Sequence, residues 1–192
     1  YKNTPNQRIA LDRVNLTLHA GDFATVIGGN GAGKSTLLNA IAGEVLADEG
    51  SIHVKGIDVT RLPTHERAAW ISRVFQDPHV GTASTLSIEE NLAVADQRGN
   101  VRKLLPGLNK AKKDIYRQRL ASFGLGLESR MGAKVGLLSG GQRQSLSLLM
   151  AVLRVPELLL LDEHTAALDP RTAEIVMEAT ANIIQQERLT TL

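Results

Sequence analysis

The chain has 192 residues, of which 43% are hydrophobic and 22% charged, the composition of a globular protein with one core, or a core and a small subdomain. Its net charge of +2 is too small to favour a nucleic-acid partner, and we expect none. The lack of cysteine excludes disulfide bonds and cysteine-ligated metals, and no apolar run reaches the roughly 18 to 20 residues that a membrane span needs.

The first part of the chain is predicted to contain short strands around one helix. Residues 14–18 alternate apolar and polar side chains, which predicts a half-buried strand. The next strand is mostly apolar, so we expect Phe23 within it to belong to the core. Gly43 ends the helix, and Gly56 marks a bulge or turn inside the third strand region. The predicted strands are 14–18, 23–27, 51–59 and 70–75, and the predicted helix is 34–42.

The second part is predicted to be largely helical before strand character returns. Pro170 suits the first turn of the last helix. Because strands cluster at both ends of the chain, we expect an α/β core with a helical subdomain inserted near residues 78–137. The chain begins at Tyr1 without methionine and stops inside a further strand, so we expect a fragment. The predicted elements are a helical region 86–135 with breaks at 99–100 and 106–107, a helix 139–153, a strand 157–161 and a helix 170–188.

A glycine-rich loop joins the second strand to the first helix. Its residues are Gly28, Gly29, Asn30, Gly31, Ala32, Gly33, Lys34 and Ser35. The glycines let consecutive backbone N–H groups converge on phosphate oxygens, and the helix adds its positive N-terminal end. Lys34 can reach the β and γ phosphates, and the Ser35 hydroxyl can bind Mg²⁺. The alternative is a glycine turn without a ligand, but the order strand, loop, helix favours a nucleoside triphosphate.

An acidic pair, Asp162 and Glu163, follows four consecutive leucines. A buried strand delivers such carboxylates to the carboxyl edge of a sheet, where α/β proteins hold ligands. Phosphoryl transfer needs a carboxylate for Mg²⁺ and a group that orients or deprotonates the attacking water. Asp162 suits the first role and Glu163 the second. A strand that ends in solvated charges is the alternative.

A second glycine-rich helix start lies at 138–142, with the sequence Leu-Ser-Gly-Gly-Gln. Ser139 can cap the helix, and Gln142 three residues later completes a capping box. Gly140 and Gly141 leave the first-turn amides open to an anion. A well-capped helix without a ligand is the alternative, but it would need no glycine pair.

In this order and spacing, the three motifs resemble an ABC-type ATPase domain over essentially the whole chain. The resemblance implies a P-loop NTPase core with a mixed sheet, an antiparallel β subdomain and an inserted helical subdomain. Residues 1–77 and 138–192 would form the catalytic core with the β subdomain, and 78–137 the helical subdomain, all within one ABC ATPase domain. The implied activity is hydrolysis of ATP with Mg²⁺, which drives a solute through a separate permease, as in bacterial importers.

The resemblance also carries single residues over to this sequence. Gln76 corresponds to a glutamine that contacts Mg²⁺ and the attacking water and links to the helical subdomain. Thr36 corresponds to a hydroxyl on the α phosphate, and Asp169 to the loop after the acidic pair, which lies across a dimer interface. Tyr1, the only aromatic residue before Phe23, is the candidate for stacking on adenine.

Such domains work as head-to-tail pairs, so a second copy of this chain is an implied partner. Each ATP would lie between one copy's loop and the Ser139, Gly140, Gly141 and Gln142 of the other. A transmembrane permease is implied to contact the surface near Gln76 and residues 79–87, with a solute-binding protein as an indirect partner. The implied location is cytoplasmic and peripheral, on the inner face of the membrane.

The sequence departs from the family pattern in three places. His164 stands where proline usually follows the acidic pair, which we expect to change local stiffness and not metal binding. Ala166 replaces a serine and removes one interface hydroxyl. None of the five histidines occupies the place of the family's switch histidine, so we expect weak turnover from this fragment.

Two other kinds of ABC ATPase remain open. One is a soluble protein that acts on DNA or ribosomes, although only 61 residues separate Gln76 from Leu138 and no long coiled coil fits there. The other is a membrane complex without a transported solute, acting in lipoprotein extraction or cell division. The basic segment 102–119 is expected to be a solvated helical face, with lipid or partner contact as the alternative.

Overall fold

The computed structural model describes residues 9–100 and 107–192 of the chain. The predicted adenine contact, Tyr1, lies outside this part. The helices are α1 (Lys34–Ala42), α2 (Thr64–Arg67), α3 (Ile88–Ala95), α4 (Lys110–Ala121), α5 (Gly140–Val152) and α6 (Pro170–Glu187), with short 3₁₀ turns at Leu127–Ser129 and Val135–Leu137. The strands are β1 (His53–Val54), β2 (Ile57–Asp58), β3 (Ile71–Val74) and β4 (Leu158–Leu161).

A parallel pair of strands forms the centre of the molecule. β3 and β4 are paired from Ile71↔Leu158 to Val74↔Leu161. Thr191 extends this arrangement, because it makes parallel bridges to both Leu159 and Phe23. The order across the sheet is therefore β3, β4, the segment around Thr191 and the segment around Phe23. All four residues of β4 are leucine, as expected for a strand with neighbours on both sides and both faces covered.

An antiparallel hairpin is formed by β1 and β2. Its turn residues Lys55 and Gly56 have φ values of 52° and 77°, the left-handed conformation that tight hairpin turns require. This confirms the predicted turn at Gly56. Nearby, the buried Arg67 side chain donates to the carbonyl oxygens of Ala40 (2.6 Å) and Ile41 (2.8 Å), so it caps the last turn of α1.

Helix α5 is the element around which the rest packs. Most of its 13 residues are buried, and it contacts β3 on one side and α3, α4 and α6 on the others. The larger apolar cluster therefore joins the helical region to the sheet, with Leu92, Leu120, Leu146 and Leu159 at its centre. A second cluster packs α1 on the hairpin and β4. The predicted helices at 34–42, 139–153 and 170–188 are confirmed.

Two predictions about the first strands are wrong. Residues 14–18 form no strand, and Val14 and Leu16 are 52% and 48% exposed. The predicted strand 23–27 is reduced to one bridge at Phe23, which is 62% exposed and not part of the core. Alternation or apolarity alone does not make a strand, because a strand also needs a neighbouring backbone to complete its hydrogen bonds.

Several cations of α4 pair with acidic side chains in the described part of the chain. Lys113 Nζ lies 2.8 Å from Glu89 Oε1 on α3, and Arg119 Nη1 lies 3.3 Å from Glu187 Oε1 at the end of α6. Lys112 pairs in the same way with Asp96. These intramolecular pairs favour the solvated face over a lipid or partner surface for the described part of segment 102–119.

Candidate functional site

The glycine-rich loop turns sharply into α1. Gly33 precedes the helix with φ 92°, and a Cβ at this position would lie 2.6 Å from the carbonyl oxygen of Ala10. Only glycine fits both conditions. Because Gly33 has no side chain to cap the helix, the first amides of α1 are left for an anion. Ser35 is exposed and Thr36 half-buried in this first turn.

Lys34 lies over the loop that precedes it. Its Nζ donates to the carbonyl oxygens of Gly28 (2.8 Å) and Gly29 (3.4 Å). The same Nζ lies 3.7 Å from Glu163 Oε1, with 23% of the lysine side chain exposed. The structure therefore brings the lysine of the loop and the second residue of the acidic pair together. An ammonium group and a carboxylate therefore lie side by side at the glycine-rich loop.

The acidic pair follows β4 at the carboxyl edge of the sheet. The backbone N–H of Asp162 donates to Val74 O of β3 (3.1 Å), which fixes where the pair begins. The Asp162 side chain is 18% exposed and that of Glu163 is 53% exposed. Glu163 has φ 43°, a conformation that residues other than glycine adopt rarely and that is concentrated at functional positions.

Arg73 is the site residue that the sequence analysis missed. It lies in β3, and its Nη2 donates to Asp162 Oδ2 at 2.6 Å. The signal that identifies it is a basic residue inside the largely buried strand Ile71–Val74, because buried arginine is almost always paired.

Gln76 is exposed and follows β3 by two residues, at the same sheet edge as Asp162. The chain in front of it is anchored to α5, because Gln144 Nε2 donates to Phe75 O at 3.1 Å. A second link joins His79 of this loop to Arg143 of α5, whose Nη1 lies 2.6 Å from His79 Nδ1. The loop after β3 is therefore tied to the helix that starts at Ser139.

The start of α5 has the predicted capping box. Ser139 Oγ accepts from the backbone N–H of Gln142 (3.3 Å), and Gln142 Oε1 accepts from the Ser139 N–H (3.2 Å). Gly140 is exposed, whereas Gly141 is buried against α6, where its Cβ would lie 1.9 Å from Thr172 Cγ2. The two glycines thus differ: Gly140 is exposed at the helix start, and Gly141 allows close packing on α6.

Asp169 caps α6, which explains its position after the acidic pair. Its Oδ1 accepts from the backbone N–H of Thr172 (3.1 Å). Hydrogen bonding from the Thr172 side chain, and next from this backbone N–H, lowers the pKa of the Asp169 carboxyl group. Leu168 lies beside Gly140, at 3.5 Å from the position of a Cβ there. In the described part of the chain, the start of α5 therefore contacts the loop 163–169 and α6.

His164 is buried and points away from solvent. Its Nε2 lies 3.2 Å from Thr180 Oγ1 on α6. Thr180 Oγ1 donates its own hydrogen to Val176 O, so it accepts the hydrogen bond from His164. Burial lowers the pKa of His164, which favours the neutral ring. The residue that replaces proline thus fastens the loop after Glu163 to α6.

The chain is similar to known proteins in sequence and in fold. The family model for ABC transporters matches residues 11–166. The tyrosine transport ATP-binding protein of Clostridioides difficile is 42% identical over 181 residues, which are 94% of this chain and 72% of that protein. The thiamine import ATP-binding protein ThiQ of Escherichia coli is 33% identical, with the same two coverages. A solved dimeric ATP-binding cassette in a post-hydrolysis state, bound to ADP and Pi, has a TM-score of 0.80 at 28% identity and covers 100% of this chain and 82% of its own.

The fold and the motifs define an ABC ATPase domain. The chain belongs to the ABC transporter family, as the resemblance in its motifs predicts. No helix within residues 9–100 and 107–192 is both long enough and apolar enough to cross a membrane.

Proposed function

We propose that the chain is the nucleotide-binding subunit of a bacterial ABC importer, which binds Mg·ATP and hydrolyses it to drive a solute through a separate permease. One observation carries the site: Lys34 Nζ lies on the glycine-rich loop and 3.7 Å from Glu163 Oε1, so a phosphate-binding lysine and a candidate base share one location. The importer relatives support the transport role.

Residues of the loop and of α1 would bind the nucleotide. The amides of the loop and the first turn of α1 would hold the phosphate oxygens, with Lys34 as the cation and Thr36 at the α phosphate. Glu163 would orient or deprotonate the attacking water, and Gln76 would help to position that water. Tyr1 remains the candidate for adenine stacking.

The donors present fit a magnesium ion that is held mainly by the nucleotide. Within the described ranges, no three His, Asp or Glu side chains cluster closely enough to hold a metal ion by themselves. Ser35 and Asp162, with Gln76 at the same sheet edge, supply hard oxygen donors, and Mg²⁺ prefers one or two of these together with phosphate and water. Bound there, the ion would neutralise charge on the transferred phosphoryl group.

A second copy of the chain would complete the site. The glycine-rich start of α5 contacts its own α6 and loop 163–169, and its exposed Gly140 leaves the helix start open to an anion. We infer that Ser139 to Gln142 face the γ phosphate bound by the other copy, with Asp169 in the same interface. The solved cassette at TM-score 0.80, which is dimeric and bound to ADP and Pi, supports a dimer as the working form.

The permease would dock on an apolar groove between the loop after β3 and α3. This groove has a volume of about 320 Å³ and is lined by Val80, Leu86, Val94 and Met150 among others. A larger cavity of about 450 Å³ lies beside α4 and is not part of this groove. Val80 and Val94 are 66% and 63% exposed. We assign residues 78–137 to the helical subdomain and place this face towards the cytoplasmic side of the membrane. The solute-binding protein would contact only the permease.

The relative at 42% identity makes amino-acid importers the first class of permease to test as a partner. If the chain instead belongs to a DNA-acting, ribosome-acting or non-transport ABC complex, a partner other than a solute permease should co-purify with it.

Three substitutions in the full-length protein test the nucleotide site. Lys34→Ala removes the phosphate-binding cation, so we expect binding of a fluorescent ATP analogue to weaken by more than tenfold. Glu163→Gln removes the base but keeps the backbone, so we expect phosphate release to fall by about 100-fold or more while binding is retained. Lys55→Ala is the matched control, because Lys55 is an exposed lysine of the hairpin that pairs with Glu157. Wild-type binding by Lys34→Ala would contradict the proposed site.

A further inference from the structure

Arg73 occupies an unusual place for a charged side chain. It lies in the middle of β3, and its side chain is only 9% exposed. Its guanidinium group lies over the ring of Phe75, 4.9 Å from the ring centre, and Phe75 directly precedes Gln76. A buried guanidinium is costly unless its charge and its N–H groups are paired. Among the described residues, Nη1 and Nη2 of Arg73 have partners, whereas its buried Nε has none. The partners of Arg73 therefore identify what the residue does.

Arg73 connects the metal-binding carboxylate to α1. Its Nη2 donates to Asp162 Oδ2 at 2.6 Å, and its Nη1 donates to Asn39 Oδ1 (2.7 Å) and to Glu44 Oε1 (2.9 Å). Asn39 belongs to α1, and Glu44 follows its end. Since α1 begins at the phosphate loop, the arginine fixes Asp162 relative to the helix that carries the phosphate-binding residues.

The contact uses one carboxylate oxygen and leaves the other. Arg73 binds Oδ2, so Oδ1 is the oxygen of Asp162 that is available to a metal ion or its water. Carboxylates that bind metals are commonly oriented by such outer hydrogen bonds, and loss of one typically weakens metal binding by 10- to 100-fold. The flat, forked guanidinium suits this task because it can bond to Asp162 and to α1 at once.

We propose that Arg73 is a positioning residue that orients Asp162 for Mg²⁺ and couples that carboxylate to α1. This inference rests on the proposed function, because it assumes that Asp162 takes part in binding Mg·ATP. In this role Arg73 acts through Asp162. The proposed metal site would thus depend on a residue that lies 89 positions away from Asp162 in the sequence.

Arg73→Met tests the proposal, since methionine keeps most of the aliphatic packing and removes the charge. We measure the affinity of a fluorescent ATP analogue as a function of Mg²⁺ concentration, and again in EDTA. The variant should need about tenfold more Mg²⁺ for half-maximal effect. Its affinity in EDTA should equal that of the wild type, because the loop is untouched. Arg73→Lys keeps the charge but lacks the forked geometry. The Mg²⁺ concentration that it needs for half-maximal effect should therefore lie between those of the wild type and of Arg73→Met.

Two further variants separate positioning from a general structural role. Glu44→Gln removes the other carboxylate partner but keeps the contact with Asp162, so its Mg²⁺ dependence should match the wild type. In an Asp162→Asn background, Arg73→Met should have no further effect on Mg²⁺ dependence. Thermal unfolding of each variant reports stability separately.

Three outcomes would overturn the proposal. They are an unchanged or lowered Mg²⁺ requirement in Arg73→Met, an equal effect in the Asp162→Asn background, and an equal effect of Glu44→Gln. A wild-type protein that binds the analogue without any dependence on Mg²⁺ would instead contradict the proposed metal site, and the role of Arg73 with it. One titration series therefore distinguishes failure of the proposed role of Arg73 from failure of the proposed metal site.

Discussion

At the scale of single residues, the backbone of Glu163 combines function with strain. Its φ of 43° is the left-handed conformation, which costs an L-residue about 1 to 2 kcal/mol and which asparagine tolerates better than most. We therefore expect Glu163→Asn to be more stable than Glu163→Ala by about 1 kcal/mol in urea unfolding, while both lose phosphate release. Both variants remove the same carboxylate, so alanine controls for that loss.

Equal unfolding free energies of the two variants would show that the conformation at Glu163 carries no strain. A stabilised but inactive Glu163→Asn would mean that the strained position is kept for the direction in which it aims the carboxylate.

At the scale of elements, the contact between α5 and α6 depends on Gly141. A Cβ there would lie 1.9 Å from Thr172 Cγ2, so Gly141→Ala overpacks a buried contact. We expect a loss of unfolding free energy of about 1 to 3 kcal/mol, measured in urea. Thr172→Ser removes Cγ2, so the double variant should recover at least half of the loss. Gly140→Ala is the matched control, because its Cβ would meet Leu168 at an ordinary 3.5 Å.

Should Gly141→Ala be as stable as Gly140→Ala, the packing of α5 on α6 would not explain the glycine. Failure of Thr172→Ser to rescue would place the clash elsewhere.

Sequence patterns predicted the elements whose signals are local. The limits of α1, the capping box at Ser139 and the proline start of α6 each depend on residues within one or two helical turns. The strand at 14–18 was predicted wrongly, because pairing depends on backbone far away in the sequence. The contact between Arg73 and Asp162 is hard to predict for the same reason. The sequence shows an arginine in a buried strand, but not which residues it contacts.

At the scale of the whole molecule, the two glycine-rich helix starts have different neighbours, although the proposed ATP site needs both of them. Lys34 of the loop at 28–35 lies beside Glu163, while the start of α5 packs against α6. A site that needs both starts is completed by a second copy if the copies meet head to tail. In such a dimer, two different defective variants can complement each other, because each site uses the loop of one copy and the helix start of the other.

Mixing two inactive variants tests this arrangement in the Glu163→Gln background, where ATP should hold the dimer. Lys34→Ala disables the loop, and Gly140→Asp places a negative charge at the helix start, where it repels phosphate but suits the first turn of a helix. Each variant alone has a defect in both sites and should remain monomeric with Mg·ATP in size-exclusion chromatography with light scattering. In a head-to-tail dimer of one copy of each, one site combines the intact loop of Gly140→Asp with the intact helix start of Lys34→Ala, so the mixture should dimerise. If each site instead used the loop and the helix start of the same copy, every site would be defective and the mixture would stay monomeric.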